Sequence, residues 1–363
     1  MKPVIHLITT ISMGGAEKQL LTLATEQVRS GRQVMVVYLK GKPELSSRFL
    51  ESGVKIVSDF SDRNPIVQAF LLRRFFRNHR ESLLHAHLPR AELFSTLAPS
   101  DISIVLSRHN AEPFYPGAPK MISRQLSRYV SKRATSIVAI SEAVKTYLIG
   151  CKEIANPNKI RVVYYGFNRS ESYENGNDPR LQKIRSKEIV IGTISRLVPQ
   201  KDLGTLIRAF EIFQKKKPDA LLVIVGEGAL KDQLSALVKK LGIESNVIWY
   251  GRTANVNSIL REFDLFALTS LYEGFGLVLL EAMANGVPVV AARNSAIPEV
   301  LGLDYEGLFQ TGDHKQLSEL FQSSLEPSQS SKMKKYLTAR LEVFQPDRMR
   351  IKMDEIYLQQ EKT

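Results

Sequence analysis

An alternation running the length of the chain, short β-branched runs separated by longer amphipathic stretches, most restricts what it can fold into. In the first half, residues 4–10, 33–38, 55–57, 83–87, 102–107 and 136–140 predict strands. Between them, residues 17–30, 65–78 and 120–132 carry apolar side chains at helical spacing. Successive strands joined by helices pair in parallel, and a parallel sheet needs both faces covered. The segment 169–187 (RSESYENGNDPRLQKIRSK) is then polar with almost no apolar period and is read as a linker. The same pattern restarts with strands expected at 189–195, 220–225, 246–250, 265–269, 287–291 and 307–309, and the tail 347–360 reads as one amphipathic helix. The expected fold is α/β: two tandem Rossmann-like, doubly wound domains, with a cleft between the carboxyl ends of their sheets.

The length agrees, because 363 residues exceed what one core usually serves. A single cysteine, Cys151, allows no internal disulfide, and no Cys/His cluster has zinc spacing, so a reducing compartment is expected. No apolar run approaches the ~20 residues of a membrane-spanning helix. The apolar start at residues 2–8 is too short for a signal peptide and leads into Gly14-Gly15 rather than a cleavage site.

The net charge of +13 is unevenly placed: residues 1–170 hold 25 basic and 12 acidic side chains, and the remainder holds 25 of each. A first half this basic points to an anionic partner, whether nucleic acid, phospholipid or a phosphorylated substrate. Lys120, Arg124, Arg128 and Lys132 would form one stripe on a helix, beside Ile122, Leu126, Tyr129 and Val130. Arg73, Arg74, Arg77 and Arg80 form a second cluster among Leu71, Leu72, Phe75 and Phe76. Each alone reads as an ordinary solvated face; together they suggest docking on an anionic membrane.

Several loops could carry chemistry. Gly14-Gly15 lies between a strand and a helix, where a backbone can approach an anion, although a tight turn explains the pair equally well. Arg196 and Lys201, just past the first strand of the second half, could bracket a diphosphate or be a solvated basic loop. Gly226-Glu227-Gly228 closes the next strand and reads as a crevice loop or a turn. The sharpest signal is Glu273-Gly274-Phe275-Gly276-Leu277, which opens a helix apolar on every side except at Glu281. That helix is expected to be buried, with Glu281 matched to a ribose diol or capped by a neighbouring arginine. His85 and His87, at a strand end, are read as packed or bonded to backbone rather than catalytic.

These residues in this order resemble the retaining glycosyltransferases of family 4 (glycosyl transferases group 1), which have the GT-B fold. The resemblance rests on Gly14-Gly15-Ala16-Glu17, His85-Ala86-His87, His109, Ile140-Ser141-Glu142, Arg196 with Lys201, Gly226-Glu227-Gly228, Glu273-x7-Glu281 and Pro298-Glu299. It implies an acceptor-binding domain over 1–168, a nucleotide-sugar domain over 188–344, and a terminal helix within 345–363 crossing back onto the first. It implies a UDP- or GDP-sugar donor and a glycan or lipid-linked acceptor, as in lipopolysaccharide or another envelope glycan. Arg196 and Lys201 would hold the diphosphate with the amide of Gly15, Glu281 the ribose, and Glu273 the donor sugar, with His109 near the reacting sugar. Gly14, Gly226, Gly274, Phe275, Gly276 and Leu277 would complete the donor site.

There are departures from the family pattern: Ser195 stands before the arginine where glycine is common, Tyr165-Gly166-Phe167-Asn168 replaces Asn-Gly-Val-Asp, and Ser295-Ala296 replaces a glycine pair. No Asp-x-Asp occurs, so the expectation is metal-independent chemistry with no cofactor, the two cations standing where a metal would. A cytoplasmic monomer at the inner face of the membrane completes the reading. The rivals are a GT-B nucleotide-sugar epimerase and a nucleic-acid-binding protein. The second is disfavoured, because the basic residues cluster on helices whose aromatics are expected to face the core, so no nucleic acid partner is expected.

Overall fold

The computed structural model describes residues 1–168, 181, 184, 189–253 and 255–361. The chain divides into two compact units, residues 1–168 with 344–363, and residues 169–343. Except for Leu181 and Ile184, the segment expected to be a linker lies outside the described residues.

The first unit is a parallel sheet of β1 (Val4–Ile8), β2 (Val34–Tyr38), β3 (Lys55–Val57), β4 (Leu83–His87), β5 (Ile104–Arg108), β6 (Ser136–Ala139) and β7 (Ile160–Val162), in the order β3-β2-β1-β4-β5-β6-β7. β7 was not anticipated. The helices are α1 (Gly15–Arg29), α2 (Ser46–Glu51), α3 (Pro65–Arg77), α4 (Pro89–Ser95), α5 (Lys120–Arg133) and α6 (Glu142–Gly150). The starts of α3 and α6 follow capping chemistry. Asn64 accepts from Ile66 N with Pro65 at the first turn, and Ser141 accepts from Val144 N. The C-terminal helix Pro346–Glu361 completes this unit: Met349, Met353, Ile356 and Tyr357 are buried with Val4, Leu23, Leu83, Val105, Val138 and Val163.

One expectation about the first unit is overturned. On α5 the inward residues are Ser123, Ser127, Val130 and Ser131, while Met121, Ile122 and Tyr129 are exposed beside the basic stripe. On α3, Leu72 and Phe76 are buried, but Ile66, Val67 and Phe70 are exposed beside Arg73, Arg74 and Arg77. The aromatics therefore do not all face the core. Small serines allow close packing of α5, which pushes its larger apolar side chains to the rim.

The second unit is a parallel sheet of β8 (Val190–Ile194), β9 (Leu221–Val225), β10 (Val247–Gly251), β11 (Leu265–Leu268), β12 (Val289–Ala292) and β13 (Leu308–Phe309), in the order β10-β9-β8-β11-β12-β13. In each sheet the order of strand addition reverses once, between β1 and β4 in the first unit and between β8 and β11 in the second. Loops leaving the carboxyl ends of strands at such a point splay apart and open a crevice. Gly14, His109, Arg196, Lys201, Gly226 and Glu273 follow the carboxyl ends of β1, β5, β8, β8, β9 and β11.

Candidate active site

In the second unit the loop after β8 carries Arg196 and Lys201, and the loop after β11 carries Glu273. Lys201 Nζ lies 2.5 Å from Glu273 Oε1, and the two side chains are only 13% and 9% exposed. Ser270 Oγ donates to the same oxygen at 2.6 Å. The loops are tied together further: Leu271 N donates to Gln200 O (2.7 Å), Gln200 Nε2 to Tyr272 O (2.9 Å) and Thr269 Oγ1 to Lys201 O (2.8 Å). Asp202, next to Lys201, and Ser295, whose hydroxyl accepts from Glu273 N at 2.7 Å, both adopt a φ of 42°. Left-handed backbone at non-glycine residues collects where a site is held against strain. Ser295 thus keeps the backbone a glycine would favour and adds a hydroxyl that fixes Glu273.

Arg196 is exposed, with Nη2 donating to Gln200 Oε1 at 3.2 Å. The alternative of a solvated basic loop is therefore corrected for Lys201. One cation is open, and the other is sequestered on the carboxylate that sequence reasoning placed beside the sugar.

The helix Leu277–Ala284 starts at Gly276, whose φ of +90° suits glycine. Phe275 is buried, Gly274 is half-buried, and Leu277, Val278, Glu281 and Ala284 form a half-exposed stripe. The helix is therefore not buried all round, and Glu281 lies on its wetter face. Gly226 has a structural reason of its own. A Cβ there would sit 1.9 Å from Ser195 O, and its amide donates to Gly251 O, so it is not offered to a ligand.

In the first unit, Gly14 caps α1, and a Cβ on it would meet Glu17 Oε2 at 2.2 Å. Glu17, itself held by Thr10 Oγ1 at 2.6 Å, lies over the amino end of α1, where an anion was expected. Gly15 opens that helix.

His109 ends a chain of buried side chains. With the Gln27 amide donating to Tyr357 Oη (3.3 Å), its oxygen must accept from His6 Nε2–H (2.8 Å). His6 Nδ1 then accepts from His87 Nε2–H (3.0 Å), His87 Nδ1 from His109 Nε2–H (3.2 Å), and His109 Nδ1 from Tyr165 Oη (2.5 Å). His85 bonds to Tyr357 Oη (2.6 Å) and Ser107 Oγ (2.8 Å). Burial pushes the imidazoles of His6 and His109 down to about 4 and holds His85 and His87 well below the usual histidine range. All four are neutral at pH 7, and the chain from Gln27 dictates one tautomer each for His6, His87 and His109. The expected backbone partners of His85 and His87 are corrected to side chains.

Among the described residues, His6, His85 and His87 lie close enough to share a metal ion. Every ring nitrogen of the three already has a side-chain partner, so a metal would have to replace those bonds.

Sequence reasoning missed His6, Gln27, Tyr165 and Tyr357. The one available signal was register: His6 stands opposite His85 across β1 and β4, and His87 opposite Ser107 across β4 and β5. Tyr357 arrives from 272 residues away.

Two family models match the chain, Glycosyltransferase Family 4 over residues 13–171 and Glycosyl transferases group 1 over residues 175–340. The chain belongs to the family 4 glycosyltransferases. It is 32% identical over 232 residues to N-acetyl-alpha-D-glucosaminyl L-malate synthase of Bacillus anthracis, covering 61% of this chain and 60% of that protein. It is 33% identical over 181 residues to N-acetylgalactosamine-N,N'-diacetylbacillosaminyl-diphospho-undecaprenol 4-alpha-N-acetylgalactosaminyltransferase of Campylobacter jejuni, covering 50% and 47%. The matched region thus spans about half to three fifths of these relatives' length. HepE of Anabaena, solved with UDP and glucose, superposes with a TM-score of 0.79 at 21% identity, over 99% of this chain and 100% of that one. The shared fold is GT-B, two parallel α/β units.

Proposed function

We propose that the chain moves a sugar from a UDP- or GDP-linked donor held by the second unit onto a glycan or lipid-linked acceptor held by the first, retaining anomeric configuration. The observation that carries this reading is the Lys201–Glu273–Ser270 cluster at the second unit's switch point, with exposed Arg196 on the same loop as Lys201. Departure of a sugar from phosphate leaves charge on the diphosphate, and fixed cations already in place stabilise it without reorganising. Arg196 can take the phosphates directly, and Lys201 adds its charge from behind while holding Glu273. A carboxylate gripped by an ammonium and a hydroxyl is a poor nucleophile and a good acceptor for sugar hydroxyls. Retention then proceeds through same-face attack, with the leaving phosphate taking the acceptor's proton. The cations stand where a metal would, so chelator leaves turnover unchanged. Loss of turnover in EDTA, restored by Mg²⁺, overturns that part.

The acceptor is a lipid-linked or envelope glycan such as lipopolysaccharide, reached from the inner face of the cytoplasmic membrane. The name of the Campylobacter relative includes a diphospho-undecaprenol acceptor. The stripe of Lys120, Arg124, Arg128 and Lys132 carries exposed Met121, Ile122 and Tyr129, a combination suited to an anionic bilayer surface. A groove of about 400 Å³ lined by Pro65, Ala69, Leu93, Phe94, Leu97 and Tyr115 adds apolar surface in the same unit. Calorimetry with UDP, GDP and their sugars tests the donor reading, and absence of binding to all of them refutes it. The anomer of the product, read by NMR, tests retention. Co-sedimentation with anionic and neutral vesicles tests docking, which must need anionic lipid and weaken with salt.

A further inference from the structure

The loops after β11, β12 and β13 are tied to one another around Glu273 by a closed ring of hydrogen bonds. Asn294, in the loop after β12, is its hub. Its Nδ2 lies 2.8 Å from Ser270 O and 2.8 Å from Thr311 Oγ1. A carbonyl oxygen only accepts, so the amide nitrogen must face Ser270 and the amide oxygen must face away from it. That oxygen, Oδ1, meets Ser295 Oγ at 3.0 Å and has no hydrogen to give, so the hydroxyl donates to it. Ser295 then has only lone pairs for Glu273 N–H, 2.7 Å away. Ser270 closes the ring, its hydroxyl donating to Glu273 Oε1 at 2.6 Å.

Each member has its direction fixed by its neighbour, so the ring holds Glu273 in one pose. Lys201 Nζ and Ser270 Oγ both bond to Oε1, at 2.5 and 2.6 Å, leaving Oε2 as the oxygen that can accept from a ligand. Two tethers on one atom still allow a carboxylate to pivot about that atom. The bond from Glu273 N to Ser295 supplies an anchor at the other end of the residue, which stops the pivot and sets where Oε2 points. Ser295 does this under strain: its φ of 42° is left-handed backbone, which serine tolerates less well than glycine. Glycine, the residue of the family pattern at this place, would relax the backbone but has no hydroxyl to complete the ring. A strained residue standing in place of an unstrained one points to a use for its side chain.

We propose that Ser295, oriented by Asn294, is a positioning residue that aims Glu273 Oε2 at a hydroxyl of the donor sugar. It touches no reacting atom and acts only through Glu273. The inference rests on the transferase reading, in which Glu273 accepts from sugar hydroxyls. Aim decides the rate there, because misplacing a group by about 1 Å can cost on the order of 100-fold. The nucleotide makes no use of Glu273 in that reading. The ring therefore acts on turnover and leaves nucleotide affinity alone.

The test is a double-mutant cycle of Ser295→Gly and Glu273→Gln in the full-length protein. Donor cleavage is followed as release of UDP or GDP from UDP-glucose, UDP-N-acetylglucosamine and GDP-mannose, with water as the acceptor. Each rate is expressed per folded molecule, the folded fraction being read from Trp249 fluorescence. Ser295→Gly should lower kcat at least about tenfold, while calorimetry gives a Kd for UDP or GDP within about twofold of the parent's. Ser295→Ala keeps the Cβ and the left-handed backbone and lacks only the hydroxyl, so it should be as slow as Ser295→Gly. In the Glu273→Gln background, Ser295→Gly should cost less than about twofold, because a residue that acts through another loses its effect with it. Parent-like kcat in Ser295→Gly or Ser295→Ala, additive losses in the cycle, or a matching loss of nucleotide affinity overturns the proposal. Parent cleavage with an unaffected Ser295→Gly removes this inference alone. A parent that neither binds nor cleaves any of the three donors removes the transferase reading, and the inference with it.

Discussion

Replacing Lys201 with alanine should damage the second unit in a way that replacing Arg196 does not, although both lie on one loop and both are assigned to the same diphosphate. Lys201 Nζ is 2.5 Å from Glu273 Oε1 and the side chains are 13% and 9% exposed, so Lys201→Ala strands a nearly buried carboxylate. Removing one member of a buried pair costs about 3–5 kcal/mol. Here Ser270 Oγ still donates to Glu273 at 2.6 Å, which offsets part of that cost and brings the expected loss down to about 2–3 kcal/mol. For a unit of this size that corresponds to roughly 5–10 °C in Tm. Arg196 is exposed and bonded to Gln200 at 3.2 Å, so Arg196→Ala should stay within about 0.5 kcal/mol of the parent. Lys201→Met with Glu273→Gln should recover part of the loss, because the stranded charge is gone. The assay is urea unfolding followed by fluorescence of Trp249, the only tryptophan, which lies on β10 of the second unit. Turnover should fall about 100-fold in both single variants. Equal stability of Lys201→Ala and Arg196→Ala would refute the reasoning, because the ion pair would then contribute nothing.

The first unit should lose stability in acid while the second does not. His6 and His109 are held at about 4, and His85 and His87 are lowered too, so below pH 6.5 the unfolded chain binds protons that the folded unit refuses. Stability therefore falls as pH drops from about 6.5 toward 4, with the raised carboxyls of Glu92 and Glu153 opposing part of the loss. His6 and His109 less Glu92 leave on the order of 1 kcal/mol per pH unit, to which His85 and His87 add in the same direction. Far-UV circular dichroism should show this loss before Trp249 fluorescence changes, and simultaneous transitions would count against it. Gly226→Ala should destabilise the second unit by more than about 2 kcal/mol, since φ is +130° and the new Cβ would strike Ser195 O; a Tm near the parent's would show that the backbone can move aside. Glu281→Gln should weaken binding of free nucleotide, and Glu273→Gln should leave it intact while lowering transfer. Calorimetry showing equal loss in both would end that division of roles.

Sequence alone determined the architecture and the list of residues at strand ends. Strand and helix periods differ, so their alternation names a parallel sheet before any coordinate is known, and the expected strands at 55–57 and 83–87 are β3 and β4 to the residue. The order of Gly14, His109, Arg196, Lys201, Glu273 and Glu281 carried the family for the same reason, since it is a one-dimensional property. What the residues do to one another belonged to the tertiary structure. Seventy-two positions separate Lys201 from Glu273, and only the adjacency of β8 and β11 turned a phosphate ligand and a sugar ligand into an ion pair. The neutral histidine chain needed β1, β4 and β5 side by side, and Tyr357 delivered by the last helix. Arg108 reads in sequence as one more basic residue of a basic half. Burial between Glu92, Glu153 and Phe114 makes it a desolvated ion-pair partner, because charge is carried by the chain whereas desolvation is conferred by the fold.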